Sequence, residues 1–317
     1  MPLGLVLLGV GCSWFKTEIN KKIEDLGPAG PRPANFDGAS PAEAAKRVNF
    51  VPGSQVEIRQ TFLGLGATLD KLLDGDDKTG VRIVTLERFA PMVYANLSWK
   101  LSQKVETEES RLAREAYEKK KATSPIGSDK VGPPDTVMEM QTVIGGLENI
   151  DLKNAHQLYP PAYWPSSKQD AKSTSAIWLS EDVFNELTKT RQATLSFGLT
   201  DENLYGALKT ARDFADAVKE LGNQATAAQK ETELDLAKAD EDYGEQTLKI
   251  NGQDVKVQVF KARNWYGEIT VLNNPQNPLI LKMTFNPLAA GAASLFKGQA
   301  LLPSLLGYEV TELNGVQ

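Results

Sequence analysis

One cysteine, Cys12, and one histidine, His156, are present among 317 residues. A lone thiol closes no intramolecular disulfide, and so small a set builds neither a cysteine-based zinc site nor most histidine-based ones. Basic charge is not in excess either, because 35 Lys and Arg stand against 41 Asp and Glu for a net charge of -6. A chain of that sign has no global attraction for nucleic acid, which favours basic surfaces, so no nucleic-acid partner is expected. The apolar run from Leu3 to Gly11 falls well short of the ~20 residues that a membrane-spanning helix needs. Gly-x-Ser-x-Gly, the Walker loop, His-Glu-x-x-His and Asp-Thr-Gly are all absent, so the sequence offers no catalytic residue, no cofactor and no metal site. Stability must come from an ordinary core. With 41% hydrophobic residues the chain can build one, as one large or two medium domains.

What is present begins with the thiol. Leu3-Gly4-Leu5-Val6-Leu7-Leu8-Gly9-Val10-Gly11 leads directly to Cys12 and Ser13. An apolar stretch of this length suits the h-region of a secretory leader, about 7 to 15 residues. With a small residue before the cysteine, the arrangement resembles the lipobox of bacterial lipoproteins, although Gly9 stands where leucine is usual and no basic residue precedes Cys12. The resemblance implies a signal-like segment over 1–12, diacylglycerol on the Cys12 thiol, and a chain anchored to a membrane through that lipid. Ser13 is similar to the second residue of lipoproteins sent onward to the outer membrane, which implies the bacterial cell envelope, on the periplasmic face of that membrane. The alternative is an N-terminal apolar arm with an incidental cysteine. Residues 13–41 follow as a tether, since three glycines and four prolines between Leu26 and Pro41 deny helix and ladder hydrogen bonds.

Beyond the tether the pattern is β with helical insertions. Val93, Ala95, Leu97, Trp99 and Leu101 are apolar at every second position, as in a strand with one wet face. Gln55–Phe62, Val81–Leu86 and Thr136–Ile144 are further strands, and Thr123–Asp135 is a loop. Thr107–Ala122 carries glutamates early and lysines late, which suits a helix macrodipole, with an apolar stripe thin enough for a solvated protrusion. Ser175–Leu179 reads as a buried strand running into Ser180, an N-cap for a helix whose Val183, Phe184 and Leu187 face inward. A second helix follows Thr200, with Leu204, Leu208, Ala211, Ala215 and Val218 on one face, and Gln224–Asp242 continues as an exposed helix. Asn251-Gly252 between alternating runs predicts a hairpin. Val271–Lys282, with Tyr308–Leu313 as a last strand, resembles exported β-rich bacterial proteins of no agreed activity. The expected class is α+β, a large curved antiparallel sheet or open barrel with helical insertions. An N-terminal β-rich part covers 42–165 and carries the charged helix; a C-terminal α+β part covers 166–317.

Two segments are candidates for recognition. Tyr159-Pro160-Pro161-Ala162-Tyr163-Trp164-Pro165 is either a recognition loop built on Tyr159, Tyr163 and Trp164 or a crossover stapled to the core by its rings. From Pro287 to Leu306 the chain has a single charge, Lys297. That segment is either a flap over the sheet, with Leu295, Phe296, Leu301, Leu302, Leu305 and Leu306 lining a cavity, or a fixed helix packed on the sheet. Asp74-Gly75-Asp76-Asp77-Lys78 lacks the ligand spacing of a calcium loop and reads as a charged turn, and Gly64-Leu65-Gly66 is too short to mark a dinucleotide site. His156 has no nucleophile or acid at a meaningful spacing and reads as a structural histidine. The expected function is noncatalytic binding of an apolar ligand or an envelope protein partner. Two alternatives remain, an envelope hydrolase using carboxylates that the sequence does not single out and a structural subunit of an envelope complex.

Overall fold

The computed structural model describes residues 33–62, 81–123, 132–197, 235–285 and 306–317. Cys12, the glycine pair at 64 and 66, the turn at 74–78, the helix expected after Thr200, and Leu295, Phe296, Leu301, Leu302 and Leu305 lie outside these residues; of Leu306 only the backbone is described.

The chain is an α+β protein dominated by one twelve-stranded sheet. Strand β1 is Gln55–Phe62, β2 Val81–Ala90, β3 Tyr94–Glu106, β4 Met138–Asp151 and β5 Lys168–Asp170. The short β6 and β7 are Gln192–Thr194 and Leu236–Ala239. Then come β8 Gly244–Ile250, β9 Gln253–Arg263, β10 Gly267–Leu272, β11 Ile280–Phe285 and β12 Leu306–Asn314. Three helices decorate the sheet among the described residues: α1 Pro41–Lys46, α2 Glu108–Thr123 and α3 Glu181–Lys189.

Strands β8 to β12 close into a barrel. Each neighbouring pair around it is antiparallel except β8 with β12, which is parallel. The parity is forced, because an odd number of strands cannot alternate in direction all the way round a ring. Strand β12 serves two partners on one edge, β11 at Tyr308 and Glu309 and β8 at Glu312 and Leu313. Thr311 falls at the changeover as a bulge residue, and its hydroxyl donates to the Glu57 carboxylate at 2.7 Å. The other edge of β12 pairs with β1 along its whole length. From there β2, β3, β4 and β5 extend as a wing outside the barrel. The β1–β12 pairing joins early and late parts of the chain in one sheet over one core cluster that runs from Phe36 to Val316.

Cross-strand partners share a face, and the register therefore sorts the wing into two sides. One side carries Val56, Ile58, Arg82, Val84, Leu86, Leu97, Trp99, Leu101 and Leu147, all buried. The other side carries Gln55, Glu57, Ile83, Thr85, Ser98, Lys100 and Ile144, and faces water. Past Leu101 the β3–β4 ribbon runs beyond the rest of the sheet toward α2, which is solvated apart from Ser110, as its thin apolar stripe implies.

Four expectations need correction. The tether does not extend to residue 41: the Ala34 N–H donates to the Val316 carbonyl at 3.1 Å, Phe36 is buried, and Ser40 caps α1 in a reciprocal box with Glu43. Leu236–Ala239 is not helical but a strand between β6 and β9, where ladder bonds outweigh the helix propensity of Leu-Ala-Lys-Ala. Ser175–Leu179 is buried throughout, yet it pairs with neighbouring chain only through single bridges, Leu158 to Ser175 and Trp178 to Leu279, so it is a buried connection and not a regular strand. Val93 does not share the buried face of Ala95 to Leu101, because it sits in the β2–β3 turn and is exposed.

Candidate functional site

The site is built on an arginine that the sheet alternation buries. Val84 and Leu86 are core residues, so period two places Arg82 on the same face, where it is 3% exposed. Its guanidinium lies 4.3 Å from the Trp99 ring centroid and 5.2 Å from that of Trp164. One of its terminal N–H groups donates to the Pro161 carbonyl, while its Nε has no partner. Burial pulls its pKa from the ordinary guanidinium range down to about 10. The aromatic faces and the carbonyl supply the negative potential that stabilises this cation in the core.

Those contacts decide the fate of the aromatic segment. Trp164 is buried, and Tyr159 and Tyr163 are half-buried against the core, so the segment is a stapled crossover and not an open recognition loop. A 3-10 turn at Pro161–Tyr163 compacts it. Trp164 Nε1 donates to the Tyr159 carbonyl at 2.7 Å, and the Tyr159 hydroxyl donates to the Tyr163 carbonyl at 3.0 Å. Burial raises the Tyr159 pKa. Beneath the crossover, Gly145 leaves no room for a side chain, since a Cβ there would overlap the Pro165 carbonyl oxygen and stand 2.6 Å from Trp99. His156 is structural, as expected, with Nδ1 2.9 Å from the Thr194 carbonyl oxygen.

After the staple the chain reaches the sheet edge at β5, which pairs with β4 only over Gly146–Glu148. Ser166, Ser167 and Lys168 thereby rise beside the water-facing side of the wing and wall a trough of about 500 Å³. Its floor is Ile83 and Ile144, its polar rim includes Thr85, Ser98 and Lys100, and Trp99 and Gly145 complete it. Ile144 is 66% exposed, an uncommon position for a β-branched residue on a strand. Lys168 Nζ is 3.2 Å from the Glu87 carboxylate and 3.5 Å from that of Glu148, and the bond to Glu87 chiefly raises its pKa. The trough thus offers an apolar bed beside ammonium and hydroxyl donors, which suits an apolar body with an anionic or hydrogen-bonding end.

Sequence reasoning did not single out Ile83, Lys100, Ile144 or Lys168. One signal was available: Val143-Ile144 places two β-branched residues in succession on a strand, so one of them must face outward.

A second cleft, about 540 Å³, lies at the start of β8 and includes Asp240, Asp242, Glu245, Lys261, Lys282 and Glu309. Asp240 is held by Arg263, and Asp242 and Glu245 are exposed. Asp235, whose pKa burial raises, borders neither cavity. Among the described residues no group of three or more His, Cys, Asp or Glu side chains could hold a metal ion, and no helix is long and apolar enough to cross a membrane. No protein-family model, no curated protein and no solved structure matches this chain.

Proposed function

We propose that this chain is a noncatalytic binding protein of the bacterial envelope, anchored by a lipid at Cys12, and that its wing trough receives an apolar ligand or partner segment bearing an anionic end. The observation that carries the reading is the floor of half-buried Ile83 and exposed Ile144 beside Lys100 and Lys168 on an otherwise polar sheet face. Apolar surface left in water at a concave site gains about 25 cal/mol per Å² when a ligand covers it. The ammonium groups orient the ligand without chemistry on it.

Dodecanoate, an apolar chain with one carboxylate, is a suitable probe. Calorimetric titration is expected to give binding that weakens at least tenfold in Ile144→Glu and in Lys100→Glu, with unchanged melting temperatures because both side chains are exposed. Wild-type affinity in Ile144→Glu would overturn the trough assignment. The anchor is tested separately by N-terminal peptide mass spectrometry on protein extracted from host membranes. An acylated Cys12 at the mature N-terminus, lost in Cys12→Ser, is the expected result, and an unmodified chain retaining Met1 would remove the anchor.

A further inference from the structure

We propose that the outer edge of β4 pairs with the same edge of a second copy of this chain, antiparallel about Gln141, so that two wings join into one continuous sheet. This goes beyond the binding reading, because it stands on the backbone of β4 and not on the trough.

Strand β5 covers β4 only from Gly146 onward, and among the described residues no strand pairs with the outer edge from Met138 to Gly145. The two strands that end the sheet path, β5 and β6, are three residues each, short enough to template little. The β4 margin is longer and little protected: Met138-Glu139-Met140-Gln141-Thr142-Val143-Ile144 carries one charge, Glu139, with no lysine and no proline, and its ladder to β3 runs without a bulge from Leu147 to Met138. Val137, Met138, Met140 and Ile144 are exposed. Such an edge in a folded protein calls for a partner strand.

The backbone supplies the phase, and the length of the free edge centres the pairing on Gln141. The Gly146 N–H points outward, to the Ser167 carbonyl at 3.4 Å. Alternation along the regular ladder then turns the N–H and C=O groups of Ile144, Thr142, Met140 and Met138 outward as well. Antiparallel self-pairing about Gln141 sets Met138 opposite Ile144 and Met140 opposite Thr142, so every outward group meets another outward group. Glu139 falls opposite Val143, and no like charges are opposed; parallel in-register pairing would instead set Glu139 against Glu139. The same register ends where β5 begins, which limits the pairing to a length typical of strands. A second copy brings an unpaired edge of the same length, sets Met138 against Ile144 and keeps Glu139 away from Glu139, whereas an unrelated extended peptide would supply the backbone bonds alone. Met138 of one copy then lies beside Ile144 of the other on the trough side, so each trough gains an apolar wall from its neighbour.

Cross-linking reads this register directly. In the full chain carrying Cys12→Ser, Gln141→Cys places two thiols at a facing pair that is not hydrogen-bonded across the two-fold, where Cα atoms stand about 4.5 Å apart. That lies within the span a disulfide bridges, about 4.4 to 6.8 Å. Mild oxidation is expected to give a covalent dimer with Gln141→Cys and at least tenfold less with Glu139→Cys, which faces Val143. Sedimentation velocity is expected to find a reversible dimer for the Cys12→Ser chain, and Met140→Lys should raise its dissociation constant at least tenfold at an unchanged melting temperature. A chain that stays monomeric at 100 µM, a dimer that resists Met140→Lys, or equal cross-linking at positions 139 and 141 would overturn the proposal. None of these outcomes depends on dodecanoate binding in the trough, which a monomer can display.

Discussion

Arg82→Ala is expected to lower the stability of the folded chain by about 4 kcal/mol, the order seen when a large buried side chain is truncated and its partners are left unpaired. Three losses coincide. The guanidinium leaves both tryptophan faces, with a desolvated cation–π contact contributing about 2 kcal/mol. The Pro161 carbonyl loses its donor, and a cavity opens between β2 and the crossover. Arg82→Met keeps much of the volume and removes the burial penalty of the charge, so it should lose about half as much. The two variants also separate packing from charge through pH. Burial lowers the Arg82 pKa to about 10 in the folded protein, below its ordinary value in the unfolded chain. Between those values the unfolded chain holds the proton and the folded chain does not, so this group makes stability rise with pH. Denaturation midpoints of wild type minus Arg82→Met should therefore climb as pH passes upward through 10, since the other titrating groups cancel in the difference. A flat difference would mean that the guanidinium is not desolvated. Loss of the staple should also disorder Ser166–Lys168 and with it one wall of the trough, so binding should fall together with stability.

Asn274→Ala should cost about 3 kcal/mol, although it lies far from that site in the chain and in no regular element. Helix α1 is short, and at its C-terminal end the Ala45 carbonyl accepts a long bond from the Val48 N–H, at 3.3 Å, while the Val48 carbonyl lies beyond the helix. Asn274 reaches across from the β10–β11 loop, and its Nδ2 donates to the Ala45 and Val48 carbonyls at 2.9 Å each. Its Oδ1 accepts the Gln276 and Asn277 N–H groups at 3.0 and 3.2 Å, which folds Asn273–Pro278 into its turn. The residue is 1% exposed, so water cannot replace the lost donor. Asn274→Asp should be worse than alanine, because a carboxylate oxygen would then face two carbonyl oxygens. Asn277→Ala should be milder, since its Nδ2 bonds are longer, at 3.2 and 3.3 Å, and its Oδ1 has no partner to lose. Guanidinium denaturation of the three variants checks the order; equal losses for alanine and aspartate at 274 would refute the donor role.

Elements with strong local chemistry were legible in the sequence. Asn251 and Gly252 both adopt positive φ, 49° and 80°, as the Asn-Gly hairpin between β8 and β9 requires. Ser180 caps α3 by accepting from the Val183 N–H, and Val183, Phe184 and Leu187 are the residues it buries. Strand β1 runs from Gln55 to Phe62, and the charged stretch after Thr107 forms the solvated α2. Leu236–Ala239 and Ser175–Leu179 were misread, because a ladder formed with residues distant in sequence outweighed propensity in one case and only single bridges formed in the other. Period two gives a strand two faces without saying which is dry. In Val81-Arg82-Ile83-Val84-Thr85-Leu86 the apolar count does not choose firmly between them, and the charge of Arg82 argues for the wrong one.

By itself, then, the sequence determined the β-rich class, the position of most strands, the caps and the hairpin turn, since each depends on neighbours within a few residues. Only the tertiary structure decided that β8 to β12 close into a barrel, that Arg82 faces inward between Trp99 and Trp164, and that Ile144 is left in water with half-buried Ile83 beside Lys100 and Lys168. Those outcomes depend on which distant segment covers which face, and burial has no local signature.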